Sequence, residues 1–189
     1  MRSEKKGQME VIGLVIIVIL ITIGMLFMAT FALKSEPHKK IFTRKGLAYS
    51  TLSAVMKTTV SKEAACFSQG YGQGMPKIGA DIIEDCVKYK GTDFSIYRCE
   101  GPVSKTPLHS CAFFSEMADY LLDLSLGGWN KNYEFHSQLI PFQGSNPIDL
   151  IVPITAGGGC PAGKERDSSG LFPISTDSGS VENILYLCD

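Results

Sequence analysis

The chain has 189 residues, a net charge of −1 and six cysteines. Once an apolar N-terminal stretch and its basic flank are set aside, about 140 residues remain. That is one ordinary domain, large enough to bury a core of its own. Residues 46–189 carry ten basic against sixteen acidic side chains, a net of −6, and an acidic head on a basic flank excludes a nucleic-acid binder.

In chain order, residues 1–10 hold Arg2, Lys5 and Lys6 against Glu4 and Glu10. From Val11 to Leu33 there are 23 consecutive residues without a charge. At about 1.5 Å per residue this run spans roughly 34 Å, slightly more than a ~30 Å hydrocarbon core. A helix apolar on every side has no place in a 140-residue soluble domain. A cleavable secretory signal is a poorer fit, because its apolar region is about 7–15 residues and ends in small residues, whereas this run leads into Lys34-Ser35-Glu36-Pro37. The expectation is a retained single-pass anchor in contact with the lipid bilayer. Gly13 and Gly24 lie eleven apart, so the helix has no GxxxG face for close pairing.

The residues before the run are Lys5-Lys6-Gly7-Gln8-Met9-Glu10. A basic pair, a glycine, a polar residue and then an unbroken hydrophobic helix resemble a class III signal peptide, the type carried by type IV pilins, archaellins and other archaeal pilin-like surface proteins. The resemblance covers residues 5–33. It implies that a prepilin-type peptidase cuts between Gly7 and Gln8 on the cytoplasmic side, with Lys6 holding the leader at that face. It also implies a homo-oligomer or filament. Many pilins have a glutamate at the fifth mature position; here that position is Ile12, and the nearby acid, Glu10, is the third.

The neck, 34–46, contains Lys34, Lys39, Lys40, Arg44 and Lys45 against Glu36. It suits anionic headgroups, each basic residue contributing roughly 1 kcal/mol there, and equally a solvated flank. Both flanks of the anchor are basic, and the neck is the more basic of the two, which by the positive-inside rule alone would place the C-terminal domain in the cytoplasm; the cysteines overrule it. Cys66, Cys86, Cys99, Cys111, Cys160 and Cys188 all follow the anchor, and no two are closer than twelve positions. Metal sites use tight pairs such as C-x2-C, so three disulfides outside the cytoplasm explain the set better, with the N-terminus cytoplasmic. Six cysteines allow fifteen pairings and sequence does not choose among them; sequence neighbours are preferred, Cys160 with Cys188 above all.

Pro37 ends or kinks the first helix. Leu47–Ala65 is expected to be an amphipathic helix with Leu47, Leu52, Val55, Met56 and Val60 inward. Gly70–Pro76 is expected to be a loop, Ile78–Tyr89 a second helix and Phe94–Cys99 a short strand. A third helix takes Thr106 as N-cap and Pro107 as first residue, and stops at Gly127-Gly128. Strands are expected near 133–140, 148–154 and 181–188, with 164–180 as a surface loop. The fold class is therefore α+β: a transmembrane helix (8–33, after a leader, 1–7), the neck, and a small disulfide-stapled domain (47–189) with about three helices and a small antiparallel sheet.

No chemistry-bearing motif survives inspection. Gly158–Glu165 matches G-x4-G-K but ends in glutamate where a phosphate loop needs Ser or Thr. His38, His109 and His136 are isolated, and Asp119 and Asp123, flanked by Glu116, fit a solvated helix face. Trp129 with Asn130, Asn132 and Tyr133 is a partial-core turn or a sugar platform. No N-x-S/T sequon occurs. No cofactor, metal or catalytic residue is expected. The reading is a pilin-like surface subunit; the rivals are an anchored adhesin or binding domain and, more distantly, an extracytoplasmic enzyme.

Overall fold

A computed structural model describes residues 4–33, 37–60, 66–68, 75–144, 146–161, 163 and 165–188, with backbone alone at 4–12, 31–33, 37–41 and 67–68. It divides into two compact units, Met1–Lys40 and Ile41–Asp189.

The first unit is dominated by helix α1, Glu4–Leu33. The second helix, α2, runs Pro37–Lys57, ten residues ahead of the expected start. Proline suits the first position of a helix, where its missing N–H would have no partner and its φ is preset; the residue expected to break one helix begins the next. The C-terminal end also comes early. The β-branched pair Thr58-Thr59 leaves the helix, Thr59 bridging Lys77 and the Val60 amide donating to Pro76. Residues 61–65 of the expected helix and 70–74 of the expected loop lie outside the described residues.

In the second unit, a π-helical turn, Ile78–Ile82, runs into α3, Ile83–Tyr89. A small antiparallel ribbon follows the order β1 (Phe67–Ser68), β2 (Tyr97–Glu100), β3 (Pro107–Leu108). Helix α4 spans Ser110–Ser125. Thr106 is not its N-cap: Pro107 and Leu108 pair with Glu100 and Cys99, and His109 caps instead, its Nδ1 accepting from the Cys111 amide at 3.2 Å. The expected strand at 94–99 shortens because Asp85 holds its first half in a loop.

The main sheet is antiparallel and built on two long central strands, β4 (Asn132–Pro141) and β9 (Gly179–Cys188), paired along their whole length. Strands β5 (Ile148–Asp149) and β6 (Ile154–Ala156) flank β4, while β7 (Arg166–Ser168) and β8 (Phe172–Thr176) flank β9. The stretch expected as one strand at 148–154 is thus two short ones. The stretch 164–180, expected to be a loop, holds two strands and the tight Asp177-Ser178 turn of the β8–β9 hairpin. Gly179 is required there, since a Cβ would lie 2.2 Å from the Ile140 carbonyl oxygen.

Strand β4 alternates as its sequence demands, with Tyr133, Phe135, Ser137 and Leu139 buried and the residues between half-exposed. On β9, Val181, Leu185 and Leu187 share the buried face. Against it lie Leu52, Val55 and Met56 of α2, Ile82, Ile83 and Val87 from 78–89, and Phe113, Phe114 and Leu122 of α4. Phe114 meets Phe135 edge to face at 6.2 Å, and each such fully buried ring contributes about 2–3 kcal/mol. The result is a two-layer α+β head with helices on one face of the sheet.

Candidate membrane anchor and head surface

Helix α1 has a stretch, Gly13–Thr30, with mean hydropathy 2.7 and no residue buried. By length and composition it is able to cross a membrane. Its polar side chains are already satisfied: Thr22 and Thr30 donate to the carbonyls of Ile19 and Phe27 at 2.9 and 2.8 Å. Such back-bonding removes the cost of placing a hydroxyl in hydrocarbon. Lys6, Gly7 and Gln8 lie on the first turns of α1; their side chains, and Arg2 altogether, lie outside the described residues.

Three disulfides cross-link the head: Cys66–Cys99, Cys86–Cys111 and Cys160–Cys188. The expectation of neighbour pairing fails for the first two, which interleave. Pairing of Phe67 with Arg98 sets Cys66 opposite Cys99, and the packing of α3 on α4 brings Cys86 to Cys111. Secondary structure, not chain distance, selects the partners.

Arg44, which the sequence places in the neck, is folded into the head. Its guanidinium lies 2.8 Å from Asp167 and 3.1 Å from Glu165, with the Arg44 and Asp167 side chains 12 % and 8 % exposed and that of Glu165 74 %. Local composition gives no hint of this pair, whose members are 123 positions apart. Asp85 is equally hidden. Its buried carboxylate accepts from the Ser95 hydroxyl at 2.8 Å and from the Ile96 and Tyr97 amides at 3.0 and 3.2 Å, and so organises the loop leading into β2.

The groups that offered chemistry are placed as follows. At Gly158–Glu165 no helix follows; β7 does. The Cys160 amide, where a phosphate would be held, is directed at Glu134 at 3.4 Å. A carboxylate already sits where an anion would bind. Glu134 also meets His136 at 2.5 Å, with the Tyr186 ring edge-on to the imidazole. His109, besides capping α4, bonds the Phe94 carbonyl at 2.8 Å through Nε2. His38 is on the first turn of α2, with its side chain outside the described residues.

The carboxylates of α4 divide. Glu116 accepts from the Val103 and Ser104 amides, each at 2.7 Å. Burial pushes its carboxyl up, but these bonds and the charge of Lys105 together hold it below the ordinary value. Asp119 is raised, first by burial and then by Asp123. The buried Tyr133 hydroxyl is pushed up to about 12 by burial and by the same two carboxylates. Trp129, at the end of a 3-10 turn, Gly127–Trp129, is 66 % exposed, so it is not core. Among the described residues, no three His, Cys, Asp or Glu side chains gather as a metal site would require.

No family model, no curated protein and no solved structure matches the chain.

Proposed function

We propose that the chain is a membrane-anchored, pilin-like surface subunit with a structural rather than enzymatic role. Its N-terminus is cytoplasmic, α1 is retained in the bilayer, and the head lies outside the cytoplasm and assembles with copies of itself. The observation that carries this reading is the attachment of one charge-free helix, apolar on all sides, to a small head holding three disulfides. Thiol pairing of that density suits an oxidising compartment. The placement of Asp85, Glu116, His109 and Glu134 in hydrogen bonds that secure the head's own loops adds support, since general acids and bases need a proton to exchange with a substrate.

The test is intact mass and N-terminal sequencing of the protein extracted from its native membrane without reductant. A chain that begins at Gln8 and is lighter by six hydrogens is the expected result, followed by a search for fibres. A chain beginning at Met1 or Arg2 sinks the pilin-like reading and leaves an anchored binding domain. Free thiols overturn the orientation.

A further inference from the structure

We infer that the end of the head carrying Trp129 and Phe42 is a lipid-interface surface, seated in the headgroup layer of the membrane that α1 enters. The inference rests on the anchor reading above.

Strand register decides which residues share that end. Asn132 and Arg166 both pair with Cys188, the last residue of β9, from its two sides, so β4 begins and β7 begins within about 10 Å of each other. Trp129 stands three residues before Asn132. Arg44, bound to Glu165 and Asp167, puts the start of the head's portion of α2 at the same end, with Phe42 two residues earlier. Phe42 is 82 % exposed and Trp129 66 %.

The turn that carries the indole is well bonded. The Trp129 and Lys131 amides donate to Leu126 and the Asn130 amide to Gly127, with Asn130 in the left-handed region at φ 52°. An ordered turn therefore presents a large amphipathic ring to the outside, and indoles in that position favour the bilayer interface, where the ring is out of water and the N–H is not. Lys45 and Arg166 are exposed at the same end, suited to headgroup phosphates. Among the described residues, the carboxylates there include Glu165 and Asp167, both on Arg44, Glu134, held by His136 and the Cys160 amide, and Asp123 on the last turns of α4. Asp81, Glu84 and Asp177 gather at the other end, beside the β8–β9 turn. The ten residues of β9 put about 30 Å between the two, several screening lengths at physiological salt.

The chain keeps this end within reach of the bilayer. From Leu33 to Phe42 there are nine steps. Five are helical, and the other four extend at most about 14 Å, so Phe42 lies no more than about 22 Å from the end of the charge-free run.

Trp129 is the chain's single tryptophan, which makes the test direct. The full chain is reconstituted at high dilution into phosphatidylcholine–phosphatidylglycerol vesicles, and flotation establishes insertion. Emission is then read with lipids brominated near the headgroup end of the acyl chain, and with aqueous acrylamide. The expected result is a several-fold greater loss of emission to the bromolipid than to acrylamide. Trp129→Phe with Phe42→Trp should behave the same way. Trp129→Phe with Phe142→Trp, which moves the probe to the opposite end of β4, should respond to acrylamide instead. A chain that floats yet shows Trp129 open to acrylamide and blind to bromolipid overturns the inference and leaves the anchor standing. Shielding from both quenchers overturns it in favour of contact with a second copy. A chain that fails to float overturns the anchor reading and this inference with it.

Discussion

Replacing Arg44 by methionine keeps the length and apolar stem of the side chain and removes its charge. Asp167 is then left in a site where its side chain is 8 % exposed. Breaking a buried pair from one side costs about 3–5 kcal/mol, because the stranded charge has lost its hydration as well as its partner. The pair lies toward the edge of the head, so the lower figure of about 3 kcal/mol applies. Glu165 adds little, being 74 % exposed; a solvated pair contributes no more than about 0.5 kcal/mol. For a domain of this size, about 3 kcal/mol lowers Tm by roughly 6–12 °C. The assay is thermal and denaturant unfolding of the full chain in mild detergent, followed by near-ultraviolet circular dichroism. Adding Asp167→Asn to Arg44→Met should recover about 2 kcal/mol, since the buried charge goes too. Glu165→Gln alone should fall within about 0.5 kcal/mol of the parent. A loss below about 1 kcal/mol for Arg44→Met, or no recovery in the double variant, would refute the argument that this pair ties α2 to the sheet.

Gly179→Ala should cost about 2–3 kcal/mol, because the new methyl meets backbone rather than a side chain able to move aside; Gly144→Ala, which has open space but a φ of 61°, should cost less, about 1 kcal/mol. Glu116 is held below the ordinary carboxyl value, so its stabilisation is complete above the unfolded pKa near 4.3 and is lost as pH falls through the lower folded value. Glu116→Gln should weaken the head by about 1 kcal/mol at pH 7 and flatten stability against pH below 4. Asp119 is raised, which has the opposite sign, so Asp119→Asn should leave stability at neutral pH unchanged or slightly higher. Cys160→Ser with Cys188→Ser should lower stability by about 2–4 kcal/mol, read by the same unfolding assay.

The parts of the fold legible in sequence are those whose signal is local. The charge-free run from Val11, the alternation along β4 and the apolar positions Ile78, Ile82, Ile83, Cys86 and Val87 needed no distant partner to be interpreted. Where the reading failed, a distant partner had decided the outcome. Thr106-Pro107 has the form of a helix start, but Pro107 is drawn into the ribbon opposite Glu100. The Cys86–Cys111 bridge and the bond from the Ser110 amide to Ser95 hold the real start three residues later. The segment 164–180 looked like a loop because its strands are short and flank β9, and because its buried side chains, Asp167 and Thr176, are polar, Asp167 being matched by an arginine on α2. Composition reports neither fact. The neighbour preference held for Cys160–Cys188 and failed for the other two bridges for the same reason, since strand pairing and helix packing override proximity along the chain.

The pattern of these long-range contacts bears on function more than any single residue does. The Arg44–Asp167 pair, the Cys160–Cys188 bridge and the last residues of β9 all occur at the end of the head where the chain enters it through α2. Tension applied through α2 would therefore pass through an ion pair into β7 and from it into β9, one of the two ten-residue central strands, beside a covalent cross-link. A binding module that only floats on a tether gains nothing from this, because thermal motion exerts little pull on its linker. A subunit held between neighbours gains a great deal. The two cases separate in one comparison. If Arg44→Met lowers the thermal stability of the head but leaves surface assembly intact, the clamp serves folding alone. If a milder change, Arg44→Lys, preserves most of the stability yet reduces assembled material, the clamp transmits force, since lysine keeps the charge but replaces the two-point grip with a single flexible contact.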